Sequence, residues 1–237
     1  NGKGMRPNRV ETTKEFEMKP SPTPQNLAAA LLCIGALLVS AFAPAADESY
    51  WERQLRLHGK MNLPVDALMQ SKATSCGEAV IAMAYNYANP ETPLTEAQVI
   101  DYAADEGYYT ERHFPYTSPA NMVRIAEHFA PGTITTGAVN DADDALALLV
   151  EKLTGGDPVL IDVFTLLYDP DSGAHFVLVT GIAIDPDNPG DVRIYYNDPL
   201  TGENRASDWH GSEGVWNAWQ NNNDPGGSGW WMVIASP

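Results

Sequence analysis

The apolar run Ala79-Val80-Ile81-Ala82-Met83-Ala84-Tyr85 constrains this chain more than any other stretch. A helix carrying it is apolar on nearly every side, so the rest of the protein must enclose it. Ser75-Cys76-Gly77-Glu78 precedes the run, and Ser75 with Glu78 three places later is a capping-box pattern. The pattern predicts Ser75 as N-cap of a helix that runs to about Ala88 and is stopped by Asn89-Pro90. Cys76 then sits in the first turn, where unpaired N–H groups and the positive end of the helix dipole favour a thiolate, the reactive form of cysteine. The competing reading is a small buried residue at a helix start.

The residues before this helix decide how much weight the thiol carries. Leu27 to Ala43 is uncharged, Lys19 lies ahead of it, and Ala43-Pro44-Ala45 follows as a small-x-small site. Residues 1–45 therefore read as an upstream region and secretory signal with cleavage near Ala45, and Met18 as a plausible true start. The run falls short of the ~20 residues a span needs, so export is preferred over a retained anchor. Cleavage removes Cys33 and leaves Cys76 as the single cysteine. An exported protein with one cysteine has no internal disulfide, and a lone thiol in an oxidising compartment is a liability unless it is used.

The net charge of −17 repels nucleic acid and anionic membranes, so neither is expected as a partner. The acidic residues are scattered as a solvated face. Residues 46–237 show no linker or repeat and read as one domain, expected to act as a monomer.

Along that domain, a short helix is possible within residues 46–62, and Leu63-Pro64-Val65 is a brief extended entry. Thr95 with Gln98 caps a helix to about Asp105. Ser118-Pro119 opens one reaching Ala130. Asp141 caps a fourth, which turns Leu146, Leu149 and Leu153 inward before Gly155-Gly156 ends it. The pattern then changes. Val159–Val163, His175–Ile184, Val192–Tyr196 and Trp230–Ala235 read as strands, the middle two joined as a hairpin by the turn-rich residues 185–191. Helices first and strands afterwards describe an α+β protein, a helical lobe followed by an antiparallel β-sheet lobe.

A nucleophilic cysteine needs a base, a group that orients the base, and donors for the oxyanion. Of the histidines, His58, His113, His128 and His210 lie in polar loops or on a helix, whereas His175 opens a strand just after the turn Asp171-Ser172-Gly173-Ala174. The orienting group should come from the neighbouring strand end, Asn197-Asp198. A symmetric hairpin about Asn188 puts Asn197 on the face of His175, and a one-residue bulge puts Asp198 there instead. Both stay open. Gln70, one loop before Cys76, is placed to point amide donors at an oxyanion beside the Cys76 N–H.

Taken in order, Gln70-x5-Cys76-Gly77, the apolar helix, Gly155-Gly156-Asp157-Pro158-Val159-Leu160-Ile161, His175-Phe176-Val177-Leu178-Val179-Thr180-Gly181 and Asn197-Asp198-Pro199 resemble the bacteriocin-leader (double-glycine) peptidase-like family of papain-fold cysteine peptidases. The resemblance spans roughly residues 63–200 and continues into the Trp209–Trp219 stretch. It implies a papain-like fold, with Cys76 as nucleophile, His175 as base, Asp198 as orienting acid and Gln70 as oxyanion donor. It implies no cofactor and no metal, and a peptide or protein as substrate. One departure stands out. Glu78 occupies a position where relatives commonly carry proline or another neutral residue, and a carboxylate there opposes a thiolate.

The sequence thus leads to an exported cysteine peptidase that works through a thioester. The rivals are a cell-wall peptide amidase or acyl transferase with the same triad, and a non-catalytic peptide- or surface-binding module. Leader processing itself is not expected, because the residues show no transporter domain and point to export. Asp185 to Asp191 reads as a turn rather than a calcium loop, and the C-terminal tryptophans as lobe packing rather than a groove. No helical His-Glu-x-x-His or phosphate-cradling glycine loop is present.

Overall fold

The computed structural model describes residues 48–236. The signal reading of residues 1–45 lies outside them. The elements run α1 (Tyr50–His58), β1 (Lys60–Asn62), α2 (Cys76–Ala88), α3 (Glu96–Asp105), α4 (Pro119–Phe129), β2 (Ile134–Ala138), α5 (Ala142–Gly155), β3 (Val159–Leu166), β4 (Asp169–Ile184), β5 (Val192–Asp198), β6 (Glu203–Asp208), α6 (Val215–Gln220) and β7 (Trp230–Ile234). No helix among the described residues is long and apolar enough to cross a membrane.

Helix α2 is enclosed as its composition demands. Every residue from Gly77 to Ala84 is buried, and the helix packs against β4, α3 and α4. The amphipathic helices around it are started by local chemistry. Thr95 and Gln98 form a complete capping box, Ser118 accepts from Asn121 N ahead of Pro119, and Asp141 accepts from Asp143 N and Asp144 N. Gly156 ends α5 at a φ of 94°, a left-handed position that suits glycine.

Among the described residues the strands form a single antiparallel seven-stranded sheet in the order β2-β7-β3-β4-β5-β6, with β1 paired to β4. The α+β reading of a helical half followed by an antiparallel sheet holds, and two strands that it did not place, β1 and β2, come from the helical half and join the same sheet. The reason is compositional. Ile134-Thr135-Thr136-Gly137-Ala138 is an edge strand with no buried residue, and Glu203–Asp208 is polar apart from Ala206 and has no buried residue either, so neither carries an apolar alternation. The central strand β3 is buried from Val159 to Phe164 without alternation, because α2 and α5 both pack on β3 and β4. The tryptophans belong to this core. Trp209 and Trp219 are fully buried, and Trp209, Trp216 and Trp219 lie against one another at centroid distances of 5.7 to 6.4 Å.

A correction concerns β4, which starts at Asp169 rather than at His175. The chain reverses at Leu167-Tyr168, and Asp171-Ser172-Gly173-Ala174 continues the strand through an irregular register in which Phe164 pairs with Ala174 and Leu166 with Asp169. Gly173, at a φ of 87°, takes up that irregularity. His175 is therefore held mid-strand, opposite Val163.

Candidate active site

Cys76 opens α2, but the capping box expected around it does not form, which is a second correction. Ser75 has φ −99° and ψ 28° rather than the extended geometry of a capping residue, and its side chain accepts from no first-turn N–H. Its hydroxyl donates instead to Glu96 Oε1 at 2.6 Å, and the same carboxylate accepts from Ser71 N at 2.9 and 3.0 Å. Glu96, at the start of α3, thus pins both ends of the loop that leads into Cys76. The first-turn N–H groups of α2 are left for other partners.

Glu78 does not fold back either. It is fully buried, and its Oε1 accepts from the Thr117 hydroxyl at 2.6 Å. Burial drives its pKa up to about 7 against the opposing pull of the Thr117 hydrogen bond and its own backbone N–H. Near neutrality, then, much of Glu78 carries a proton, which softens its opposition to a nearby thiolate.

His175 and Asp198 are brought together by a register shift. From Ile184↔Val192 to Gly181↔Tyr195 the β4–β5 ladder is regular, but the next pair is Val179↔Tyr196, so Thr180 is an extra residue. Side chains alternate along a strand, and this bulge turns Asp198 onto the face of His175. His175 Nε2 lies 2.8 Å from Asp198 Oδ1, with both side chains buried. Asn197 turns the other way, donating to Val65 O at 3.0 Å and accepting from Asn204 Nδ2 at 2.8 Å.

The electrostatics follow from these contacts. Burial alone would lower the pKa of His175. The hydrogen bond with Asp198, the neighbouring Cys76 and the charges of both outweigh it and raise the value to about 9. Burial in turn would raise Asp198, but His175, Arg205 and the Leu200 N–H hold it down at about 2. Nε2 is committed to Asp198, leaving Nδ1 as the ring nitrogen for the thiol.

Gln70 is buried, and its loop is sewn to the turn that follows Asp198. Its backbone N donates to Pro199 O at 2.7 Å. Its side-chain Nε2 donates to Lys72 O at 2.7 Å, which uses one of the two amide hydrogens, and Oε1 is buried without a partner among the described residues. Gly202 completes this junction at a φ of 69°, where a Cβ would stand 2.7 Å from Met69 Cβ.

Three residues escaped the sequence reading. Arg205 Nη1 holds Asp198 Oδ2 at 2.9 Å; as the single Lys or Arg among residues 201–237 it was open to notice. Thr117 lines the small cavity beside Cys76 and Gly77, together with Phe114, Tyr116 and Asp224. Asp224 is paired with the fully buried Asp162, and both carboxyls are pushed up first by burial, Asp224 to about 6. Nothing in the local pattern of a loop residue and a strand residue 62 positions apart joins them.

The Peptidase_C39 like family matches residues 62–223, a span that includes Gln70, Cys76, His175 and Asp198. Among solved structures, a candidate C39-like peptidase from Bacillus anthracis superimposes with a TM-score of 0.54 at 14% identity, over 75% of this chain and 98% of that one. A search among curated proteins finds no match. That likeness of structure, at so low an identity, speaks to the fold alone. The helix-borne thiol, the antiparallel sheet and the matched span agree: the chain has an α+β papain-like fold and belongs to the Peptidase_C39 like family.

Proposed function

We propose that this protein is an exported cysteine peptidase that cleaves peptide bonds with Cys76, His175 and Asp198. The observation that carries the reading is the buried hydrogen bond between His175 and Asp198, on a ring whose charge is also supported by the Cys76 thiol at the start of α2. That arrangement favours a thiolate–imidazolium pair, a nucleophile already formed before substrate arrives. The thiolate attacks the carbonyl carbon, and the oxyanion takes the Cys76 N–H and an amide hydrogen of Gln70. His175 gives its proton to the leaving amine. Water, deprotonated by His175, then attacks the thioester and releases the second product. Export rests on the sequence of residues 1–45, and the lone cysteine accords with it.

The test is peptide turnover and iodoacetamide labelling of the wild-type protein beside Cys76→Ala and His175→Ala. Cys76→Ala is expected to lose both, and His175→Ala to lose turnover and to label more slowly than the wild type at neutral pH. Unchanged turnover in Cys76→Ala removes the reading. Equal labelling of wild type and His175→Ala favours a binding module instead.

A further inference from the structure

The side chains that surround His175 and Asp198 are mostly anionic or neutral. Cys76 approaches from α2, Asp162 acts on the imidazole from β3, Tyr196 lies on β5, and Glu203 stands opposite Asp198 on β6. Glu213 lines the same cleft, of about 170 Å³, as His175 and Asp198. Arg205 is the only Lys or Arg among these groups. It projects from β6, paired with Tyr196, onto the face that carries Asp198.

We infer that Arg205 is a positioning residue of the active site, fixing the Asp198 carboxylate so that one oxygen faces His175. The inference rests on the peptidase reading above. Its geometry is a division of labour on one carboxylate. Oδ2 is held by Arg205 Nη1 at 2.9 Å, while Oδ1 faces His175 Nε2 at 2.8 Å and accepts from Leu200 N at 2.9 Å. Asp198 is the last residue of β5, and the chain turns immediately after it, with Gly202 N returning to Asp198 O at 2.8 Å. At a strand end the ladder fixes the backbone but leaves the terminal torsion of the carboxylate open. A guanidinium removes that freedom, because its planar fork has a fixed direction as well as a charge.

A purely structural surface pair would behave differently. Arg205 is half exposed, so an ordinary ion pair there contributes little to stability. Its partner, however, is 5% exposed and bonded to the catalytic imidazole, so its consequence falls on the protonation of His175. Without the guanidinium, Asp198 turns more freely and binds protons more readily, so it is lost as the anion facing His175 at a higher pH than in the wild type. The acid limb of the pH–rate profile then moves upward.

The experiment compares wild type with Arg205→Gln, Arg205→Lys and Arg205→Ala, measuring kcat, KM and iodoacetamide labelling across pH. The expected result for Arg205→Gln is a fall in kcat of about tenfold, the scale on which a lost hydrogen bond to a charged group registers in a rate. KM and the melting temperature stay near wild type. Arg205→Lys recovers part of the loss, and added guanidinium, which reaches the site through the open cleft, restores Arg205→Ala towards wild type. If Arg205→Ala melts below the assay temperature, the Gln and Lys variants carry the same readouts. Wild-type pH limbs in Arg205→Gln, or a loss in folded Arg205→Ala that guanidinium leaves untouched, overturns the inference. The Cys76→Ala control, run in parallel, separates this from failure of the peptidase reading itself, which would show as turnover without the thiol.

Discussion

At the scale of single residues, the site is a set of titratable groups moved away from their ordinary ranges in different directions. His175 is raised to about 9 and Asp198 lowered to about 2, so the imidazolium persists through neutral pH and is lost as pH rises through the higher value. Peptide turnover is therefore expected to fall on the alkaline side near about 9. In Asp198→Asn, where the anion is gone but the shape stays, that limb should move to lower pH by one unit or more; a limb that stays in place would show that Asp198 does not act on the ring. Glu78 makes the opposite kind of contribution. Its folded pKa of about 7 exceeds the ordinary 4.5, so the folded state binds the extra proton. Stability from this group is complete below about 4.5 and lost as pH rises through about 7, on the order of 3 kcal/mol at most. Thermal melts of Glu78→Gln should accordingly decline less steeply over that interval than those of the wild type. An identical slope would mean that Glu78 does not titrate there.

At the scale of elements, the bulge at Thr180 and the glycine beside it decide which residue meets His175. Gly181 pairs with Asn62 of β1 so closely that a Cβ would lie 2.4 Å from Met61 O. That neighbour is backbone, so it has no rotamer by which to move away. Gly181→Ala is expected to cost about 2 kcal/mol or more, read as a drop in denaturant midpoint. Activity should fall further than the loss of folded protein explains, because the strain sits where β4 sets the face of Asp198. A stable and fully active Gly181→Ala would show that the bulge does not depend on this contact. The same element scale explains what was legible beforehand. The caps at Thr95, Ser118 and Asp141 are local hydrogen bonds between near neighbours, and each formed as its sequence pattern indicates. Ser75 and Glu78 fit such a pattern too, yet Glu96 and Thr117, distant in sequence, took their side chains.

At the scale of the whole molecule, charge and buried acids set the response to solution conditions. A net charge of −17 makes the surface potential negative, which draws cationic peptides towards the site and repels acidic ones. For two peptides alike except for flanking lysines or glutamates, kcat/KM should favour the lysine peptide at about 0.05 M salt. That preference should shrink at about 0.5 M, where screening shortens the range of the field. A preference independent of salt would place the discrimination in contacts inside the cleft. The Asp162–Asp224 pair and Glu78 are all raised above ordinary carboxyl values, each chiefly by burial. All three therefore favour the folded state more at mildly acidic pH than at alkaline pH.

The sequence by itself determined the enclosed helix, its cysteine, the capped helices around it and the apolar strands, because each is written in neighbours or in a short period. It also supplied the candidates Gln70, Cys76, His175, Asn197 and Asp198, in an order that resembles one family. Strand periodicity left Asn197 and Asp198 open as the partner of the imidazole; the resemblance implied Asp198, and the tertiary structure puts it there. Alternation along a strand makes a single inserted residue exchange the two faces, and no local signal marks that insertion. The tertiary structure alone placed Arg205 on Asp198, Glu96 on Ser75 and Thr117 on Glu78, since a buried polar group takes whichever partner the packing brings within reach.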